Sequence, residues 1–460
     1  MKRTIPIAAT ALLALLAFPL EAATGSKTSQ RKPRARSRPP LSLVWHVETL
    51  DGDVVSTSGA DDPINPASVV KVATSWWALE TLGPEHRFET RFFARGTVDA
   101  KRGVLQGDLV VEGGADPDFQ AENAFLVAAA LNRLGIRRVT GALVVNRRFW
   151  MGWEDGSAGR QSDPDRRASL MGARLRQALD PAMWNKATRA AWRSFAVRRG
   201  LYAASPPKVA IAGGVRVGGA NSVSTELVVH RSKPLAETLR RFNCYSNNDI
   251  ERVGDSIGPI GDLAARLTGA IGAPPGALRI ETASGLGENR LTPRQVVRMM
   301  REFRRTGERF GRPVESLLPV GGCDPGTVTR FFPQFAAGEN ATALVAKTGT
   351  LTSTDGGISV LAGFLNTAQG EVIFCVAAPR AAGRLKRARF QEEQWLLGIV
   401  AKMGGAEPRT CAPPLAGADD DADVVLTGLA TGRPPASWNG GGRASAARTA
   451  GAGSGSASAR

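Results

Sequence analysis

Histidine occurs three times in these 460 residues, cysteine four times and tyrosine twice. His46, His86 and His230 are widely spaced, and Cys244, Cys323, Cys375 and Cys411 form no Cys-x-x-Cys pair. A zinc centre is therefore not expected, and no metal is assigned. The same scarcity removes one class of serine hydrolase. Gly254-Asp255-Ser256-Ile257-Gly258 has the Gly-x-Ser-x-Gly form of a nucleophile elbow, but that triad needs a later histidine, and none follows His230. No strand-like run precedes the segment, and it reads as a turn. Beyond the N-terminus no apolar run is long enough to cross a bilayer. Acidic residues are in deficit, 42 against 59 Lys and Arg, for a net charge of +17. A basic balance suits nucleic acid, yet no recognition motif accompanies it and the chain reads as exported, so nucleic acid is not an expected partner.

The export reading rests on the first residues. Lys2 and Arg3 precede an apolar stretch over residues 5–18 that is too short to span a bilayer, and Leu20-Glu21-Ala22 ends in a small residue suited to cleavage. A signal peptide over 1–23 and a periplasmic location are expected; the competing reading is an uncleaved anchor. No cysteine follows the signal, which argues against a lipid anchor. Residues 24–40 form a basic linker carrying Lys27, Arg31, Lys32, Arg34, Arg36 and Arg38. The plain reading is a solvated spacer; the sharper one is electrostatic contact with membrane lipid or an anionic wall polymer.

With 43% hydrophobic and 22% charged residues the rest can bury a large core, and more than one domain is expected. Residues 42–50 alternate as a strand, Asp51-Gly52 is a hairpin signal, and Val54-Val55 begins the return. Asn65-Pro66 opens a helix over 67–82, which Gly83-Pro84 stops. Strand-like runs and one helical run, 124–134, follow up to residue 145, then a helical region rich in Arg and Trp over 150–200. Its aromatic and basic residues suit helix packing, or else a surface for glycan or peptide. Strand-like runs over 343–347, 357–364 and 371–376 precede an amphipathic helix with Leu385, Ala388, Trp395, Leu396, Ile399 and Met403 on one side and Lys386, Arg389 and Glu393 mostly on the other. Two N-terminal and three C-terminal strands predict one antiparallel sheet covered by the first and last helices. Trp76 and Trp77 read as core, and Cys375 as a buried thiol. An oxidising compartment permits disulfides, but the pairing is not set by sequence. From 405 the chain turns Gly-, Ala-, Pro- and Ser-rich and is expected to be mostly disordered.

Three motifs occur in order: Ser68-Val69-Val70-Lys71, Ser246-Asn247-Asn248 and Lys347-Thr348-Gly349. Each is weak alone; together they form the Ser-x-x-Lys, Ser-x-Asn, Lys-Thr-Gly set of penicillin-recognising acyl-transfer enzymes. A serine hydroxyl needs a base, and a lysine serves if burial and a second cation keep it neutral. The candidate roles are Ser68 as nucleophile, Lys71 as base, Ser246 as proton relay, Asn248 as partner of the substrate amide, and Lys347 as the second cation. Thr348, Gly349 and Thr350 line the substrate, with the hydroxyls as donors to its carboxylate. The Ser68 and Thr350 N–H groups form an oxyanion site. Decoys exist. Ser205-Pro206-Pro207-Lys208 cannot put both side chains on one helical face. Ser437-Trp438-Asn439 lies in the expected tail, and Tyr245-Ser246-Asn247 offers a Tyr-x-Asn register against the favoured Ser246 with Asn248.

On these residues the chain resembles the D-alanyl-D-alanine carboxypeptidase/endopeptidase family, the class C low-molecular-mass penicillin-binding proteins. The resemblance runs over about 40–400. It includes Asn65-Pro66-Ala67-Ser68, Leu82-Gly83-Pro84, Gly107-Asp108-Leu109 with Gly113-Gly114-Ala115-Asp116-Pro117, and Gly135-Ile136 with Gly141. Asn243 and Glu251 flank the second motif in the family manner. Ser284-Gly285-Leu286 with Asn289-Arg290-Leu291-Thr292-Pro293, Leu318-Pro319-Val320 and Ala346-Lys347-Thr348-Gly349-Thr350-Leu351 complete it.

The resemblance implies an α+β, β-lactamase/DD-peptidase-like transpeptidase fold: a five-stranded antiparallel sheet flanked by helices, with an inserted domain. It places the catalytic domain in 41–85 plus 231–404, the insertion in 86–230 and a tail in 405–460. It implies a serine D-Ala-D-Ala carboxypeptidase or endopeptidase acting on peptidoglycan stem peptides, acylated by β-lactams and needing no cofactor. The oligomeric state stays open. Thr282-Ala283 and Gly287-Glu288 depart from the family pattern, which has an acidic residue before Ser-Gly-Leu and a Ser-Arg pair after it. These departures bear on substrate preference. The alternatives are a β-lactamase or esterase on the same fold, although the Glu-x-x-Leu-Asn string of one such class is absent between the second and third motifs, and a non-catalytic wall-binding protein.

Overall fold

The computed structural model describes residues 41–157, 159–201 and 204–427; the expected signal segment, the basic linker and the end of the expected tail lie outside them. Both ends of the catalytic region share one antiparallel sheet, in the order Leu344–Leu351, Ile358–Leu365, Val372–Pro379, Val44–Thr49, Val54–Ser58. The seam between the chain's two halves is a full ladder, from Val44 opposite Ala377 to Thr49 opposite Val372. Asp51-Gly52 makes the expected hairpin, with Gly52 at φ +105°.

The two strands Ile358–Leu365 and Val372–Pro379 are buried almost throughout, because the sheet is covered on both faces. Side chains alternate across a strand. Val360, Ala362 and Phe364 accordingly join Ile373, Cys375 and Ala377 in the core beneath the Val70–Leu82 and Pro293–Arg309 helices. Leu361 and Leu365 join Phe374 and Val376 against Leu396, Ile399 and Val400 of the Leu385–Lys402 helix. The Val70–Leu82 helix is buried from Val70 to Leu79, as expected of a helix apolar on every side. Trp76 and Trp77 sit in its core packing, at 7% and 1% exposure. Gly83, at φ +79°, ends it.

A second, eight-stranded mixed sheet is built from residues between Glu89 and Arg231 together with Asp423–Leu426. Glu89–Asp99 and Val104–Gly113 are its long central hairpin. Ala121–Arg133 and Pro164–Leu179 pack on it. Trp150 and Trp184 are buried, with the guanidinium groups of Arg167 and Arg252 4.5 and 4.4 Å from the Trp150 ring. These residues of the Arg- and Trp-rich region serve packing.

Three expectations are corrected. Gly254–Gly258 is not a turn: it ends the Ile250–Ile257 helix, and Ser256 donates to the Val253 carbonyl at 2.7 Å, so its hydroxyl is spent locally. Glu393 does not face solvent; it is 4% exposed and accepts the Gln334 N–H at 2.9 Å. Residues 406–427, part of the expected tail, are held against the rest of the chain. Cys411 is disulfide-bonded to Cys323, Arg240 donates to the Pro413 carbonyl at 2.7 Å, and buried Asp419 pairs with Arg198 and Arg199 at 2.6 and 3.2 Å. Small residues dominate the composition there, and the anchoring comes from cations elsewhere. Cys375 and Cys244 are buried thiols. Among the described residues no helix is long and apolar enough to cross a membrane.

The disulfide closes a sequence separation of 88 residues, and such a link restricts the unfolded chain. Cys411→Ser is expected to lower unfolding stability by about 3 kcal/mol, read as a shifted denaturant midpoint. An unchanged midpoint would mean that the strap contributes nothing to global stability.

Candidate active site

Ser68 lies in a short 3-10 turn, Ala67–Val69, that runs directly into the Val70–Leu82 helix. The turn is tight. Ala67 has φ +49°, a conformation that costs about 1–2 kcal/mol for a residue with a Cβ. It is held there by Asn65, whose Oδ1 accepts the Ala67 N–H at 3.0 Å and whose Nδ2 donates to the Gly287 carbonyl and to Asp355, both at 2.9 Å. Asp355 is clamped in turn by two Arg290 hydrogen bonds of 2.9 and 2.7 Å. Nothing local in the sequence joins residues 65, 290 and 355, and the sequence reading missed this clamp.

Lys71 is one turn on, fully buried. Its Nζ donates to Ser68 Oγ at 2.9 Å, Asn248 Oδ1 at 2.9 Å and the Ser284 carbonyl at 2.6 Å. Three acceptors match its three N–H bonds. Burial lowers its pKa to about 7, against the opposing charge of Glu251. Lys347 is also fully buried. It donates to Ser246 Oγ and to the Thr348 carbonyl, both at 2.8 Å. Burial and then the charge of Lys71 hold its pKa well below the usual lysine range. The two amines form the floor; Ser68, Ser246 and Asn248 are partly exposed above them.

The second motif sits at the end of the Leu235–Tyr245 helix. Ser246 caps it with φ +54° and ψ +41°, and this left-handed turn aims its hydroxyl at Lys347. Asn247 turns inward instead, accepting the Asp249 N–H at 2.9 Å, and Tyr245 is 41% exposed. The structure therefore brings Ser246 and Asn248, rather than Tyr245 and Asn247, to the lysines.

The third motif lies on the edge strand. Ala346 N–H donates outward to the Pro319 carbonyl at 3.2 Å. By the alternation of strand backbone, the Thr348 and Thr350 N–H groups face the same outer edge. Lys347 and Gly349 face the nucleophile turn. A Cβ on Gly349 would lie 2.5 Å from the Pro66 carbonyl oxygen, and one on Gly285 (φ +83°) 1.9 Å from that of Ala67. Glycine is needed on both sides of the turn for this approach. Thr348 and Thr350 sit on the other face. Thr348 Oγ1 donates to Thr327 Oγ1 at 2.7 Å, and Thr350 Oγ1 accepts from Arg389 at 3.0 Å.

Glu251 was seen only as a flank of the second motif. It accepts the Ser157 N–H at 3.0 Å and a short hydrogen bond from the Ser284 hydroxyl, and its charge acts on Lys71. Its place one helical turn past Asn248 was the available signal. The segment that departs from the family pattern thus still delivers the Ser284 carbonyl to Lys71. The arrangement is a serine hydroxyl, two buried amines of lowered pKa and a free strand edge around one cleft, a set suited to acyl transfer.

The sequence model of the D-Ala-D-Ala carboxypeptidase 3 (S13) family matches residues 42–166 and 207–392. A D-alanyl-D-alanine carboxypeptidase of Actinomadura sp. is 35% identical over 103 residues, 22% of this chain and 19% of that protein's length. Carboxypeptidase Rv3627c of Mycobacterium tuberculosis is 27% identical over 354 residues, 70% of this chain and 72% of that one. The penicillin G-acylated predatory endopeptidase Bd3459 of Bdellovibrio bacteriovorus, solved with immunity protein Bd3460, superposes with a TM-score of 0.68 at 20% identity. That superposition covers 84% of this chain and 100% of the endopeptidase. The fold is the expected α+β, DD-peptidase-like one.

Gly285→Ala is expected to push the Ala67–Ser68 turn out of place and to slow covalent labelling of the protein by a fluorescent penicillin at least about 100-fold. Gly276, also at positive φ (+76°) but with open space around it, is the control. Gly276→Ala should cost about 1 kcal/mol of stability and leave labelling within about twofold. Equal labelling by both variants would show that the close approach does not govern the site.

Proposed function

The chain belongs to the D-Ala-D-Ala carboxypeptidase 3 (S13) family, and on that premise we propose that it is an exported serine DD-peptidase of peptidoglycan stem peptides, acting as a carboxypeptidase and, where the cleft admits a cross-link, as an endopeptidase. The observation that carries the reading is the 2.9 Å contact between Ser68 Oγ and a fully buried Lys71 whose pKa is lowered to about 7.

In the proposed reaction neutral Lys71 accepts the Ser68 proton as Oγ attacks the carbonyl of the penultimate D-alanine. The oxyanion that forms is held by the N–H groups of Ser68 and Thr350. Ser246, hydrogen-bonded to Lys347, hands its proton to the leaving amine and takes in its place the one Lys71 received, so Lys71 is neutral again; the C–N bond breaks and D-alanine departs. Water then attacks the Ser68 ester as Lys71 takes its proton; the Oγ–C bond breaks, Lys71 returns the proton to Ser68 Oγ, and the shortened peptide is released. Asn248, fixed by Lys71, holds the amide of the acyl part. β-Lactams enter by the same first step and stay as long-lived esters. The catalytic work falls to 41–85 plus 231–404, with 86–230 as the inserted part. The family's role in the cell wall supports export, and the periplasm is the proposed compartment.

Ser68→Ala is expected to abolish labelling by fluorescent penicillin; a band of equal intensity in the variant would overturn the assignment. Rapid loss of the label from wild type, with the drug consumed, would instead mark a β-lactamase. The acylation rate should rise as pH increases through about 7, because the reactive Lys71 is the deprotonated one and its pKa is lowered to about 7. Lys71→Arg, which cannot lose its proton, should acylate about 1,000-fold more slowly. A rate independent of pH over roughly two units either side of that value would count against lysine as base.

A further inference from the structure

The proposed mechanism leaves one cation beside the site without work. Arg389, on the Leu385–Lys402 helix, reaches the edge strand from the face opposite Lys347. Its guanidinium donates to Thr350 Oγ1 at 3.0 Å and lies 3.7 Å from the Phe331 ring centroid. Arg330 covers the same ring at 4.4 Å. Arg389 is half-buried, and burial lowers its pKa. Most arginines packed around this core have a carboxylate: Arg240 has Asp324, Arg290 has Asp355, Arg301 has Glu48 and Arg304 has Glu371. Arg389 forms no ion pair among the described residues. Glu392, three residues along the same helix, is engaged by Ser359 at 2.8 Å, and burial pushes its pKa up to about 8. Its carboxyl acts on the guanidinium through the helix without forming an ion pair with it.

A half-buried guanidinium held over an aromatic ring, with no carboxylate in ion-pair contact, is prepared for an anion. Only one of its donors is occupied by Thr350, and a guanidinium has five. We propose that Arg389 is a specificity residue of the cleft: it receives the carboxylate on the carbon next to the scissile nitrogen, together with the hydroxyls of Thr348 and Thr350. The inference rests on the DD-peptidase reading and deepens it. Lys347 and Arg389 would then hold the leaving group's carboxylate from the two faces of one strand, while the strand edge keeps its N–H for the oxyanion. Phe331, packed between two guanidinium groups, fixes the orientation of Arg389 before substrate arrives.

The test compares wild type, Arg389→Gln and Arg389→Lys on two pairs of compounds. One pair is a stem-peptide analogue ending in D-Ala-D-Ala and the same peptide with a C-terminal carboxamide. The other is benzylpenicillin and its methyl ester, read as the rate of covalent Ser68 acylation. Arg389→Gln should lower kcat/KM for the free peptide, and acylation by benzylpenicillin, about 30-fold, with less than about threefold change for the amide and the ester. Arg389→Lys should restore part of the loss. A loss of the same size for blocked and free compounds would make Arg389 merely structural and overturn the proposal, as would no loss for either. If wild type cleaves neither peptide and is acylated by neither penicillin, the DD-peptidase reading itself falls and takes this one with it. Acylation that proceeds normally in all three proteins sinks the Arg389 inference alone.

Discussion

Two lysines share a water-excluded floor in this site, and much of the surrounding structure can be read as the means of keeping them there. A buried ammonium is costly unless its protons are satisfied, and a second one nearby adds repulsion. Lys71 has three acceptors drawn from three separate parts of the chain: the nucleophile turn, the second motif and the Ser284 loop. Lys347 draws on the second motif and its own strand. The hydrogen bonds lower the cost of burial without cancelling it, and the remainder is expressed as depressed pKa values. That residue of unfavourable solvation is what suits Lys71 to the base role proposed for it.

Such a floor tolerates little slack, and the backbone around it is shaped accordingly. Ala67 and Ser246 both adopt left-handed conformations that alanine and serine rarely take. Each is over-determined by its neighbours: Ala67 by Asn65, and Ser246 by the helix end, where the Asn247 N–H bonds back to Phe242 O at 2.9 Å. Gly285 and Gly349 let two loops close on the nucleophile turn at distances a methyl group would forbid. Strain at Ala67 and close approach at the glycines belong to one device, which fixes Ser68 Oγ between an amine and a strand edge.

The parts of this device that lie close together in sequence were legible there. Ser68 and Lys71 are one helical turn apart, and the Pro66 and Gly83 signals bounded the helix that carries them. The pairing of N-terminal with C-terminal strands followed from their alternation and from the need to cover both faces. The clamp of Asn65, Asp355 and Arg290 was not legible, because it is made by chain closure across the whole fold. Arg389 was misjudged for a related reason. Helical periodicity assigned it to the polar side, correctly as geometry, but periodicity does not say that the polar side meets the site edge. Composition likewise misread residues 405–427: their own side chains offer little core, and their order comes from Arg198, Arg199 and Arg240 and from Cys323.

The second motif is also held from behind, and this ties the region between Glu89 and Arg231 to the chemistry. Asp249 accepts the N–H groups of Glu154 and Gly156 at 2.9 Å each and pairs with Arg252 at 3.1 Å. Glu251, on the next turn, accepts the N–H of Ser157. Glu251 and the Asp249 that precedes its helix are thus oriented by a single loop of the other region, and Glu251 acts on the field at Lys71. Burial alone would push the Lys71 pKa lower; the Glu251 charge draws it back up by favouring the ammonium. The position of Ser157 therefore enters the field at Lys71 through its hydrogen bond to a carboxylate that touches neither Ser68 nor Lys347. In the proposed reaction, a loop remote from Ser68 in sequence is thus part of what sets the pH range over which Lys71 can take its proton.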